Sequence, residues 1–157
     1  MREVLANWLA FPENDDPSRT GCVVTVFDDG TGDLCLPQEF LGEIQPGKSQ
    51  MYAFYSLEKG VRLGDHPGHM TSAASALSRE ENAKRGSTEK KYPGATRARG
   101  FLRFSTSGFS GVGDQAFSAA LQDRAGLLTD ALLDHIEAES ASDLARRFVL
   151  YDRQHRS

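Results

Sequence analysis

The sequence predicts an α+β fold: a small, mostly antiparallel sheet flanked by helices, with a long amphipathic helix near the C-terminus. Three stretches carry that expectation. "GCVVTVFDDGTGDLCL" (21–36) sets two apolar runs on either side of an Asp/Gly turn, the pattern of a β-hairpin. "RGFLRFSTSG" (99–108) alternates, with Phe101 and Arg103 on one face and Leu102 and Phe104 on the other, and ends in a glycine turn. Beyond it, Phe117, Leu121, Ala125, Leu128, Leu132 and Ile136 recur at steps of three and four, one stripe of a helix that runs from Asp114 to Ile136.

Taken in order, "REVLANWLA" (2–10) is a short helix with an apolar stripe of Val4, Leu5, Trp8 and Leu9 and Trp8 packed inward, and 11–20 is loop. The first hairpin strand is apolar on both faces, Val24 and Val26 on one and Val23 and Phe27 on the other, so helices should cover both sides of its sheet. If Asp29 pairs with Gly32 in the turn, Cys35 falls opposite Val26 and Cys22 lies four residues further along. That offset, about 13 Å at strand rise, is too long for a disulfide, and two small buried thiols are expected. "QMYAFYSLEKGVRL" (50–63) fits strand or helix: its aromatics Tyr52, Phe54 and Tyr55 favour a strand, while Leu57 to Leu63 can open a helix. "TSAASALSREENAKRG" (71–86) is expected as a helix and 87–98 as an exposed, mobile loop. Asp114 is expected to cap the long helix, with Leu121, Leu128 and Leu132 buried against the strand of Leu102 and Phe104. No repeat or linker divides the 157 residues, so residues 1–157 read as one globular domain.

Composition narrows the function classes. Hydrophobic residues make up 39% and charged residues 25%, with a net charge of −4, which is far from the basic footprint selected by phosphate backbones, so no nucleic-acid partner is expected. No apolar run approaches the roughly 20 residues of a membrane span, and the N-terminus lacks a signal-peptide pattern, so no membrane partner and a cytoplasmic location are expected.

Two stretches nominate a site. "SGFSGVGD" (107–114) joins the strand to the long helix. Its glycines let backbone amides approach a ligand, and a helix N-terminus favours negative charge, so Ser107, Gly108, Gly111 and Asp114 are candidates for cradling a carboxylate or phosphate. It is neither a P-loop nor a complete dinucleotide fingerprint, and a plain tight turn is the competing reading. "DHPGHM" (65–70) holds His66 and His69 at i, i+3 beside Asp65. A metal site needs a third ligand that nothing nominates, so no metal is assigned. A haem needs one axial ligand, which His69 or His66 can supply, and a surface turn that happens to carry histidines is the alternative.

The segment "GFLRFSTSGFSGVGDQAFSAAL" resembles the closing strand, Ser-Gly turn and acid-led helix of the GlcG/HbpS-like family, related to the PduO C-terminal domain. "VVTVFDDGTGDL" is similar to that family's strand–turn–strand, and Lys59-Gly60 falls where the family has a Lys-small pair on a helix. The family's following Thr-Ala step is not matched, since Val61 and Arg62 stand there. The resemblance spans roughly residues 21–133. It implies a profilin-like sheet flanked by helices, frequent homo-oligomers, and in some members haem as cofactor, with no haem ligand carried over residue by residue. The expected function is therefore binding of haem or a similar small-molecule ligand at His66, His69, Ser107, Gly108, Gly111 and Asp114. Alternatives from other classes are a non-catalytic interaction or immunity-type protein, and an enzyme built on the 65–69 and 105–114 loops, for example with Ser107, His69 and Asp114 as a triad.

Overall fold

The computed structural model describes residues 1–157. Its helices are α1 (Arg2–Ala10), α2 (Ser49–Gly64), α3 (Arg79–Ala83), α4 (Gly111–Arg124), α5 (Asp130–Ser140) and α6 (Leu144–Gln154). Its strands are β1 (Thr20–Asp28), β2 (Glu39–Glu43), β3 (Ala95–Arg97) and β4 (Leu102–Ser107). They form one four-stranded sheet in the order β2-β1-β4-β3, antiparallel at every pairing. The α+β architecture expected from the sequence is present, with helices on both faces of the sheet.

The two faces differ in chemistry. Cys22, Val24, Val26 and Phe104 face an apolar core with α1, α4, α5 and α6, in which Trp8, Phe117, Ile136 and Phe148 are fully buried. The opposite face carries Thr25, Ser105 and Arg103 against α2. There Thr25 Oγ1 and Ser56 Oγ lie 2.6 Å apart, and Ser56 and Ser105 exchange hydroxyl-to-carbonyl bonds of 2.9 and 2.6 Å. Small side chains let this helix sit close to the strands. A Cβ on Gly60 would lie 2.1 Å from the Phe27 ring.

Several local expectations are corrected. Residues 49–64 are helix, not strand: Tyr52, Tyr55, Ser56, Lys59, Gly60 and Leu63 are the buried positions, a helical period that outweighs aromatic β-propensity. The long C-terminal helix is two helices. Gly126, at φ +73°, ends the first, and Thr129 caps the second by accepting from the Leu132 amide. As a result Leu121 is buried, while Leu128 and Leu132 are half-buried at the core edge. The helix expected at 71–86 is a 3-10 turn (Ser72–Ser75) followed by the five-residue α3, which starts with a Ser78–Glu81 capping box. The loop expected at 87–98 contains the buried β3, and its earlier part is tied down: Arg62 donates to the Tyr92 carbonyl, Asn82 to that of Lys91, and Tyr55 to that of Ser87. Cys35 does bond to the Val26 carbonyl, but the return past Leu34 is irregular and exposed, so only Cys22 is a buried thiol. The regular partner of β1 is β2, an edge strand whose Glu39, Phe40 and Glu43 are exposed and whose Gly42 has φ +69°.

Phe117 lies at the centre of the larger core. Phe117→Ala should therefore cost about 3–5 kcal/mol in urea unfolding, and Leu128→Ala clearly less, because a half-buried site leaves a smaller cavity. Equal costs would place Leu128 in the core.

Candidate functional site

The Ser107–Asp114 junction is built around a buried ion pair. Lys59 of α2 and Asp114 of α4 are 1% and 3% exposed. Lys59 Nζ donates to Asp114 Oδ2 at 2.7 Å and to the Thr106 carbonyl at 2.9 Å. The second carboxylate oxygen, Oδ1, accepts from the Phe109 amide at 2.8 Å. Asp114 is therefore not the helix cap. That role falls to Ser110, whose Oγ accepts from the Gly113 amide. Burial, ahead of the attraction to Lys59, lifts the Asp114 carboxyl to about 6. Gly108, at φ +156°, brings its backbone against Cys22, where a Cβ would lie 2.6 Å from Cα. Burial raises the Cys22 thiol well above its ordinary value, so it is inert.

A cavity of about 510 Å³ opens above this pair, between the first half of α2, the 107–111 turn and the 87–92 segment. Ser107, Gly108, Gly111 and Asp114 all line it, so four of the six residues nominated from sequence share one site. Two hydroxyls on otherwise buried residues open into it without a protein partner: those of Ser107, a residue 4% exposed, and Tyr52, 6% exposed. On the same wall, the Gly108 and Gly111 amides bond to no group of the protein. Arg19 lies at the rim, holding the Phe109 carbonyl at 2.6 Å. Lys48 and Lys90 line the cavity with no ion pair, and the only acid there, Asp114, is already matched by Lys59. The site thus offers several donors and spare positive charge.

Tyr52, Lys59, Lys48 and Lys90 were not legible as site residues from spacing alone. Placing Tyr52 and Lys59 requires the helical reading of 49–64, which brings these two, seven residues apart, onto one face, and placing Lys90 requires the tertiary path of the 87–92 segment.

His66 and His69 do not line this cavity. They sit in the turn after α2, with their rings stacked at 5.3 Å between centroids. Arg97 fastens that turn from beneath, donating to the carbonyls of Leu63, His66 and His69 at 2.5–2.9 Å while pairing with Asp29 at 2.8 Å. Glu139 of α5 completes the anchor by accepting from the Met70 and Thr71 amides. His69 Nδ1 is buried and unpartnered. The hollow beside the turn, however, is lined by Asp29, Arg97, Arg99, three glycines and Pro67, with no aliphatic or aromatic side chain to cover a porphyrin. The residues around the histidines do not fit a haem. Nor does a Ser107–His69–Asp114 triad assemble, since the histidine is elsewhere and both Asp114 oxygens are engaged.

No family model, curated protein or solved structure matches the chain. No helix is long and apolar enough to cross a membrane.

Removing one partner of a buried pair leaves an uncompensated charge. Lys59→Met should thus cost about 3–5 kcal/mol in chemical denaturation, and Lys59→Met with Asp114→Leu should recover most of it. Full additivity of the two single costs would show that the groups do not interact. The pH dependence has a definite sign. A carboxyl whose folded value is raised from 3.8 to about 6 favours folding fully below about 4, and that contribution is lost as pH rises through about 6. Stability of the parent relative to the double variant should fall across that window, and a rise would reverse the assignment.

Proposed function

We infer that the protein binds a small anionic ligand, a carboxylate or phosphate, in the cavity above Lys59 and Asp114. The observation that carries this reading is the set of unpartnered donors on one wall: the hydroxyls of Ser107 and Tyr52, which open into the cavity, and the amides of Gly108 and Gly111. Four donors that open onto one cavity wall without a protein partner suit a ligand rich in acceptors. The start of α4 and the spare charge of Lys48 and Lys90 favour a negative one. Assignment to the GlcG/HbpS-like family belongs to the same proposal. Its support is the order of features now placed on elements: β1 and its Asp/Gly turn, Lys59-Gly60 buried in α2, then β4, the Ser-Gly turn and α4 with Asp114.

Haem, which the family resemblance implies for some members, has weaker support. The cavity holds tyrosines but no histidine, and burial raises the Tyr52 and Tyr55 phenols, which opposes the phenolate that would ligate iron. Haemin is accordingly an arm of the test rather than its premise.

The experiment is a titration of the ¹⁵N-labelled protein with inorganic phosphate and with acetate. Shifts should concentrate at residues 107–112, and Tyr52→Phe with Ser107→Ala should weaken binding roughly tenfold or more, as expected for lost hydrogen bonds to a charged group. Added salt should weaken it as well. Shifts spread evenly over the surface, or a variant that binds as the parent does, would reject the cavity as the site. A shifted Soret band on adding haemin that survives at high salt would make haem the ligand instead.

A further inference from the structure

Resting on the anion reading, the geometry points to the body of the ligand: we propose an aliphatic chain that runs from the anion cradle past Tyr92 into a second hollow. This hollow, of about 450 Å³, shares Lys90, Tyr92 and Gly111 with the first, so the two are lobes of one groove. Their linings differ. The first lobe holds the free hydroxyls and amides. The second is walled by Leu77, Ala83, Pro93 and Val112. Apart from the surface cations Arg79 and Lys90 and the Tyr92 phenol at the divider, its one polar side chain is Asn82, which is fully occupied: its amide donates to the carbonyls of Leu77 and Lys91, and its oxygen accepts from the Lys91 amide. Beyond the Tyr92 divider, the second lobe therefore offers mainly apolar contact.

The divider between the lobes is fixed. Arg62, 6% exposed, donates to the Tyr92 carbonyl at 2.7 Å and to that of Ser72 at 2.8 Å. The glycine at 111 lets Pro93 pack on the first turn of α4, since a Cβ there would lie 2.6 Å from the proline ring. This contact brings the apolar wall to where the cradle amides end. A head group held at Ser107 and Gly111 has Pro93 and Val112 as its next neighbours along the groove. Small aliphatic side chains, with Tyr92 the only aromatic ring in this lobe, suit a linear chain better than a stacked heterocycle.

The test is a series of straight-chain carboxylates from acetate to octanoate, titrated against the parent protein and Ala83→Trp. Ala83 is exposed on α3, so a large side chain there fills the second lobe without entering the core. Affinity for the parent should rise about two- to fourfold per methylene. In Ala83→Trp that gain should vanish while acetate binds as before, which also reports an intact fold. Acetate binding with no dependence on chain length would overturn the chain proposal and leave the anion reading standing. A chain-length gain unchanged in Ala83→Trp would overturn the placement of the chain. Absence of binding by acetate and octanoate alike would overturn the chain proposal, and absence of phosphate binding as well would overturn the anion reading with it.

Discussion

The contact between Lys59 and Asp114 joins the two layers of the molecule. Lys59 belongs to the helix on the polar face of the sheet, and Asp114 to the helix on the apolar face. Their charges meet past the end of β4, where the Thr106 carbonyl takes a further hydrogen bond from the ammonium. Neither charge is tolerable alone at that depth. The carboxylate in turn holds the Phe109 amide, so the turn that carries Ser107 and Gly108 is set by the same pair. The cavity floor is thus a consequence of how the layers are locked, and its neutral pair leaves the rim lysines uncompensated.

The polar face of the sheet follows from the same arrangement. A helix that must bring a lysine over the sheet's end has to lie low, and Ser56 and Gly60 allow it. The cost of burying hydroxyls there is met by their mutual bonds. The apolar face needs no such matching and is filled by aromatic rings, Trp8 against Phe109 and Phe148 at 5.3 and 4.9 Å between centroids.

What the sequence revealed and what it hid divide along physical lines. The two-sided apolar pattern of Val23 to Phe27 announced a covered sheet, and Phe101 to Phe104 announced a second strand, because a period of two is a local property. The Ser107–Asp114 turn was visible through its glycines. Segment 49–64 was misread because Tyr52, Phe54 and Tyr55 carry β-propensity, while the choice of helix is made by tertiary burial of Tyr52, Ser56, Lys59 and Leu63. The partnership of Lys59 with Asp114 spans 55 residues of chain, and no spacing rule reaches across that distance. The two histidines drew attention by residue type. Their backbone carbonyls, not their rings, are what Arg97 grips, and Glu139 holds the Met70 and Thr71 amides that follow.

The edge strand β2 bears on how copies of this chain can meet. The far edge of the sheet is closed, since Thr71 bridges to Thr96 on β3. β2 is the open edge, short and distorted at Gly42, with an acid at either end. Two copies approaching edge to edge about Leu41 would set Glu39 of each against Glu43 of the other, like charges on adjacent strands, which is unfavourable. Charge thus opposes extension of the sheet through this edge in that register, while the opposite edge is already occupied.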